Sequence, residues 1–449
     1  MSRTSPRSVA YELLRAVDEH DAYANLAMPA LLARAKLDAR DAGFATELGY
    51  GTLRLRGRYD AILPFVLTRP LTKLDPPVRR VLQLGAHQLF AMRVEPHAAV
   101  SQSVSLAKSL GVASAAGFVN SVLRRLSEKP LAHWLELVSA AQPERVSRLA
   151  AMHSHPDWIV RALEGALGQT GAADELESLL SADNEAPAVS LVALPGIGPT
   201  PSPGPGDVSP LAVTHPGGAV SALEEQGLRV QDQGSQLAAL TLSRYRAVSP
   251  GERWLDVCAG PGGKAALLAA EARAGGAVLQ ANEPSAHRAQ LVRAALASVD
   301  SAISVSEHDG RELDGRFERI LLDAPCSGLG ALRRRPEARW RKSEAELREL
   351  THLQTQLLRH SLTLLAPGGV LCYVTCSPDV RETRDVLDRV VPGRSDVRLI
   401  DTAPVLDRIA PRSLDAASGS AAQLWPHRHG TDAMFIQLIE KVGSPHGAH

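Results

Sequence analysis

The chain is 449 residues long, about three times the usual domain size, which excludes a single core as its whole architecture. A charged fraction of 22% and a hydrophobic fraction of 45% are ordinary for a folded protein in water, and no run of about 18 apolar residues is present to cross a membrane. The zero net charge is unevenly spread: residues 1–150 carry 20 Lys/Arg against 13 Asp/Glu, residues 151–240 carry 2 against 11, and the remainder 27 against 25.

The basic front end predicts an anionic partner. Only seven of the 49 basic residues are lysine, so a codon bias toward arginine would also produce the excess. The start, MSRTSPRSVAYELLRAV, has neither the long apolar core nor the small-residue cleavage site of a secretory signal. Four cysteines, Cys258, Cys326, Cys372 and Cys376, exclude a disulfide scaffold and contain no CxxC zinc pattern. These features predict a cytoplasmic protein in a reducing compartment.

Residues 1–170 read as helical throughout. Apolar residues recur at helical spacing in Val9, Leu13, Leu14 and Val17, and again in Val78, Val81, Leu82 and Leu84. Pro70, Pro76, Pro77 and Gly111 fall between such stretches, and the pattern predicts an all-α bundle. Residues 195–218, PGIGPTPSPGPGDVSPLAVTHPGG, cannot hold a helix and read as a loop within an acidic, mixed segment near 170–235. From about residue 236 short apolar runs alternate with helical ones. Strands are expected at Arg253–Val257, Ala277–Asn282, Ala302–Glu307, Phe317–Asp323 and Gly369–Thr375, and helices at 264–274, 285–298 and 343–366. That alternation predicts a parallel sheet covered on both faces, a doubly wound α/β domain. The expected division is a helical domain at 1–140, a linker and small mixed subdomain at 141–235, and the α/β domain at 236–449.

The first of these strands runs straight into CAGPGGK (Cys258–Lys264), and a helix follows. A phosphate-binding P-loop would need glycine at 258 and Ser/Thr after the lysine, where Cys258 and Ala265 stand. Gly260, Gly262 and Ala265, with Glu283 about twenty residues on, satisfy a dinucleotide fingerprint. The same turn and acid suit S-adenosylmethionine, and the loop alone leaves both cofactors open. DAPCSG (Asp323–Gly328) closes one expected strand and TCSP (Thr375–Pro378) closes the next. Both cysteines therefore fall at the carboxyl ends of strands, where α/β sheets bind ligands, in turns stiffened by Pro325 and Pro378. The thiols of Cys258 and Cys372 read as structural.

DVCAGPGGK, DAPCSG and YVTCS resemble the motifs of the Nop/Sun family of RNA cytosine-5 methyltransferases. RRRPEARW (Arg333–Trp340) and VQDQGSQLA (Val230–Ala238) resemble segments of its bacterial small-subunit ribosomal RNA branch. DAGFATELGYGTLR (Asp41–Arg54) and AGFVNSVLRRL (Ala116–Leu126) resemble the NusB-like helical domain fused to that branch, and LWPHRHGTDAMFIQL (Leu424–Leu438) its final hairpin. SLVALPG (Ser190–Gly196) lacks the arginine usual in the first strand of the family's small subdomain.

The resemblance implies a Rossmann-like, S-adenosylmethionine-dependent enzyme that methylates C5 of a cytosine in 16S ribosomal RNA. The same chemistry on another RNA such as tRNA, and a non-catalytic RNA-binding assembly factor, are the alternatives. It implies Cys376 as the nucleophile, Cys326 in product release, Asp323 at the cytosine edge and Lys264 beside them. Cys258, Ala259, Gly260, Pro261, Gly262, Gly263 and Lys264 are expected to line the cofactor, with Glu283 at the ribose, Asp309 near the adenine, and Arg288 and Asp323 also in the cofactor site. Arg333, Arg334, Arg335, Arg339 and Trp340 are expected to bind RNA, in a stretch that holds six basic residues among the ten from 333 to 342. So are Arg124 and Arg125. His427 and His429 lack further ligands, and the expectation is a monomer without metal.

Overall fold

The computed structural model describes residues 5–214 and 226–442; residues 215–218 of the Pro/Gly-rich stretch lie outside the described residues. The chain forms two compact units. One joins Met1–Arg161 to Leu180–Ala186 and Leu332–Arg341; the other joins Ala162–Leu179, Pro187–Ala331 and Lys342–His449.

The first unit is helical. Its elements are α1 (Pro6–His20), α2 (Ala24–Ala35), α3 (Ala39–Ile62), α4 (Pro76–Phe90), α5 (Pro96–Ser109), α6 (Ala116–Ser127), α7 (Leu131–Ala141) and α8 (Arg145–His153). α9 (Asp157–Gly168) and α10 (Leu176–Ala182), each divided between the two units, follow in the chain, so helix continues past the expected residue 170. Local signals set the ends. Ser5 and Ser8 form a reciprocal cap ahead of Pro6 on α1, and Asp38 caps α3 by accepting from the Asp41 N–H. The expected apolar stripes meet in one core: Val9, Leu13 and Leu14 of α1 pack with Val78, Val81 and Leu82 of α4 and Val119 and Leu123 of α6.

The second unit contains two sheets. Antiparallel β1 (Ser190–Ala193), β2 (Ala212–Thr214) and β3 (Leu228–Val230) form a small one in the order β2-β1-β3. The large sheet has nine strands: β4 (Arg253–Asp256), β5 (Val278–Asn282), β6 (Val305–Ser306), β7 (Phe317–Asp323), β8 (Leu365–Thr375), β9 (Val397–Ile400), β10 (Ala417–Ser418), β11 (Ala421–Gln423) and β12 (Phe435–Lys441). Its order is β10-β11-β12-β8-β7-β4-β5-β6, with β9 also on β12. β4 to β8 run parallel, whereas β12 lies antiparallel on β8 and β11, so the sheet is mixed and not parallel throughout.

Side chains alternate across this sheet with the period of two that strands impose. Trp254, Leu321, Cys372 and Ile436 join one core, with α11 (Gln233–Ser243), α12 (Gly263–Gly275) and α13 (Ala286–Ala297). Leu255, Ile320, Leu371 and Phe435 join the other, with α15 (Glu344–Thr363) and α16 (Arg384–Val390), which follow the one-turn α14 (Ala338–Arg341). Both faces are covered, as the alternation of elements predicts. β5 and β7 flank β4 on opposite sides, so the topological switch point falls at the carboxyl end of β4.

Candidate active site

The turn after β4 brings backbone to the switch point. Gly260–Pro261 is a cis peptide, and Gly262 has φ of +110°, open to glycine alone at low cost. A Cβ at Gly262 would also stand 2.5 Å from the Ala295 Cβ. Gly263 begins α12, so the turn leads straight into a helix N-terminus, whose first N–H groups have no partner within the helix. Glu283, 2% exposed, accepts from the Gly260 N–H at 3.1 Å and the Ser285 N–H at 3.1 Å. Arg288 donates to the Gly260 carbonyl and lies 3.4 Å from the Glu283 carboxylate. Asp309 is gripped by Arg311, whose hydrogen bonds hold its pKa down to about 2. Each carboxyl group has further lone pairs for a ribose or adenine donor, and the crowding at Gly260 and Gly262 leaves space for backbone only. These residues fit an adenosine-bearing cofactor.

At the ends of β7 and β8 the two Cys-Ser turns meet. The Cys326 and Cys376 sulfurs are 3.4 Å apart, both partly exposed. Lys264 Nζ donates to Asp323 Oδ2 at 2.9 Å. Burial opposes the lysine's charge, yet Asp323, then Cys376 and Asp256, carry its pKa above the ordinary value. The Cys326 thiol is pushed well above its usual range, first by its hydrogen bond to Cys376, then by burial and the charges of Cys376, Glu382 and Asp323. The same contact joins the two thiols into one pair at the strand ends. Cys372 is fully buried in the sheet core and Cys258 is raised by burial, as inert thiols are.

The basic run divides. Arg339 is fully buried within the helical unit, where its guanidinium donates to the carbonyls of Arg54 (2.9 Å), Ser154 (3.1 Å) and Asp183 (2.6 Å) and to Asn184 Oδ1 (2.7 Å). Arg333 is buried as well, and its carbonyl accepts from Arg54 Nε. The expectation that these two meet RNA is corrected: both residues are buried, and the Arg339 guanidinium is taken up by four acceptors of the chain itself. Arg334, Arg335 and Trp340 are exposed, the indole lying under Arg56 at 5.5 Å. Arg124 and Arg125 are exposed on α6, with Arg125 donating to the Val66 carbonyl at 2.9 Å. His427 bonds Glu175, and His429 bonds the Trp425 N–H and the Leu414 carbonyl.

Three residues of the site are not singled out in the sequence reading. Asp256, fully buried at the end of β4, is pushed up to about 8 by burial and then by Asp323, so it is protonated at neutral pH. Asn282 ties the strand ends together: its amide donates to the carbonyls of Val257 (3.1 Å) and His308 (3.0 Å) and accepts from the His308 N–H (3.0 Å). Glu382 reaches both Cys-Ser turns. The Asp256 position stands inside the quoted glycine motif; the other two act through residues distant in sequence.

A glycine turn at the switch point, acids on the next two strand ends and two apposed thiols define a Rossmann-like methyltransferase domain. Residues 245–440 match the family model described as 16S rRNA methyltransferase RsmB/F, and residues 4–128 match that of the NusB family. Ribosomal RNA small subunit methyltransferase B of Pseudomonas putida is 30% identical over 463 residues, 99% of this chain and 100% of that protein. Its counterpart in Pseudomonas syringae is 31% identical over 461 residues, covering 98% of each. Rv1407 of Mycobacterium tuberculosis is 44% identical over 448 residues, 97% of this chain and 96% of that protein. The crystal structure of PH0851 superposes with a TM-score of 0.75 at 20% identity, covering 98% of this chain and 99% of that one, and shares the fold. The chain belongs to the RsmB/F methyltransferase family, with a NusB-family region at its front.

Proposed function

We propose that the chain methylates C5 of a cytosine in 16S ribosomal RNA through a covalent bond between Cys376 and C6 of the base. The observation that carries this reading is the pair of sulfurs 3.4 Å apart beside the Lys264–Asp323 pair. A single structural thiol has no use for a second at that distance. A nucleophile that must later be expelled does.

C5 of cytosine is a poor nucleophile. Addition of the Cys376 thiolate to C6 forms an S–C6 bond and moves the C5=C6 π pair toward C5 and the ring, which makes C5 enamine-like. S-adenosylmethionine, held along Cys258–Gly263 with Glu283 and Asp309 at its nucleoside, would supply an electrophilic methyl group. C5 takes that methyl with its electron pair as the sulfonium S–CH3 bond breaks and S-adenosylhomocysteine departs. Asp323, oriented by Lys264, accepts from the cytosine N4–H and favours a protonated N3. The bond to Cys376 is the first of several causes, with burial, Glu382 and Asp323, that raise the Cys326 pKa. Once Cys376 is a thioether that cause is gone, and in this reading Cys326 gives its proton to solvent and serves as the base. It then takes the C5 proton; the C5–H electron pair restores C5=C6, and Cys376 leaves as thiolate. One sulfur's chemistry prepares the other's.

Exposed arginines of the helical front, Arg124 among them, and Arg334 and Arg335 bind RNA phosphates in this reading. The test is transfer of a labelled methyl group to deproteinised 16S rRNA and to tRNA, with bisulfite mapping of the product. A protected cytosine in 16S rRNA is expected. Label in tRNA alone would move the substrate, and no label in any RNA would overturn the reading in favour of an assembly factor.

A further inference from the structure

Beneath the two thiols lies a carboxylate that the chemistry above does not use. Glu382 is fully buried on a short 3-10 turn, Val380–Glu382, that Asp379 caps by accepting from the Arg381 N–H at 2.9 Å. Its Oε1 accepts from the Ser327 N–H at 2.8 Å and from Gln354 Nε2 at 3.0 Å. Its Oε2 accepts from the Ser327 hydroxyl, whose oxygen also lies 3.1 Å from the Ser377 hydroxyl. Gln354 reaches the same turn a second way, donating to the Pro325 carbonyl at 2.8 Å. The Glu382 main chain is fixed as well, because the Tyr373 hydroxyl on β8 donates to its carbonyl at 2.8 Å.

Ser327 follows Cys326 and Ser377 follows Cys376. One carboxylate is thus bonded to one Cys-Ser turn and, through a hydroxyl, to the other. Burying a carboxylate is costly unless every lone pair is answered, and here three donors converge on it. A purely structural pocket would be filled more cheaply by an apolar side chain.

We propose that Glu382 is a positioning residue: it clamps the Cys326 and Cys376 turns together so that the two sulfurs stay in contact. It touches no reacting atom. Its effect on turnover rests on the two-thiol reading above, but the clamp itself does not.

Two readouts separate these claims. The first needs no RNA: diamide takes two electrons and two protons from the thiol pair, and one S–S bond forms only if the sulfurs can meet. In the full-length protein, Glu382→Ala is expected to slow formation of the Cys326–Cys376 disulfide, identified by peptide mass, by about ten-fold or more, since a misplacement of ~1 Å can cost ~100-fold in a proximity-dependent step. Glu382→Gln is expected to restore most of the rate. Its amide oxygen replaces Oε1, and its NH2 can donate to a Ser327 hydroxyl that turns toward Ser377.

The second readout is methyl transfer, where kcat falls with the disulfide rate while the KM for RNA and the affinity for S-adenosylmethionine hold. Should Glu382→Ala not fold, Ser327→Ala removes the hydroxyl link alone and is expected to slow both readouts by a smaller factor. A wild-type disulfide rate in whichever of these variants folds overturns the clamp, as does a loss in Glu382→Ala that Glu382→Gln does not restore. A slowed disulfide rate in a protein that methylates no RNA leaves the clamp standing and overturns the function.

Discussion

The proposed mechanism gives the two sulfurs 3.4 Å apart different tasks, and substitution separates them. With Cys376→Ala no bond to C6 forms, C5 stays unactivated, and methyl transfer is expected to vanish while cofactor affinity survives. With Cys326→Ala addition and transfer proceed, but the C5 proton has no acceptor. A methylated protein–RNA complex that resists denaturing electrophoresis is expected to accumulate, and to disappear when Cys376 is also replaced. An adduct in Cys376→Ala would reverse the assignment. The buried neighbour Asp256 makes a second prediction. Its pKa of about 8 in the folded chain lies far above that of an unfolded aspartate. Between about pH 4 and 8 the folded state therefore holds a proton that the unfolded state lacks, and stability falls as pH rises through that window. Asp256→Asn removes this term. The urea midpoint of the variant is expected to gain on wild type as pH is raised from about 5 to 8, and parallel curves would refute the assignment.

The strands at the site were legible because buried parallel strands read as short apolar runs ended by glycine or proline. Phe317–Asp323 is found as expected, and β8 begins at Leu365, four residues before the expected Gly369. Only Val305–Ser306 of the expected Ala302–Glu307 pairs as strand, since Asp300 turns the preceding backbone by accepting from the Ala302 N–H. The mixed edge escaped the parallel-sheet expectation although Leu424–Leu438 resembles a hairpin, because the alternation of strands and helices leaves no mark of strand direction at the sheet's edge. Cys326, Cys376, Lys264 and the glycine turn were legible as motifs; Glu382 and Asn282 were not, because each works through partners on other elements.

At the opposite end of the same strands, away from the thiols, Arg319 on β7 is fully buried. It bonds Glu252 at 2.8 Å and the carbonyls of Leu242, Ser243, Arg246 and Ala247, with its guanidinium 4.9 Å over the Trp254 ring. Removing one partner of such a pair leaves an unanswered buried charge. Glu252→Ala is expected to lose about 3–5 kcal/mol of unfolding free energy. Methylation per folded molecule should hold, because the strand ends that carry the thiols are untouched. A variant of wild-type stability, or one that unfolds no sooner yet loses turnover, would show that this pair does not act as a structural anchor.

At the scale of the whole chain, the uneven charge gives a true signal and a false one. The excess of arginine in the first 150 residues sits on a helical unit with exposed cations, yet that unit also buries arginines as structural donors. The run 333–342 shows why charge counting fails. It lies between two stretches of the α/β unit in sequence but packs within the helical one. There Arg339 fills a cage of carbonyls, Arg341 donates to the Val17 and Ala22 carbonyls, and Glu337 accepts from the Ala24 N–H. Burial holds the Arg339 pKa down to about 10, still charged at neutral pH, so the cage must answer a full cation.

The two kinds of arginine part under salt. Each phosphate contact releases condensed counterions and adds about 0.7–0.9 to the slope of log affinity against log salt. Arg334→Ala and Arg335→Ala are each expected to lower that slope for 16S rRNA by roughly one contact's worth, with the melting temperature unchanged. Arg124→Ala should do the same. Arg339→Ala should leave the slope alone in whatever fraction remains folded, while the melting temperature falls because several buried carbonyls lose their donor. If Arg339→Ala lowered the slope without destabilising the chain, its guanidinium would have to reach phosphate, and the cage would not describe its working state.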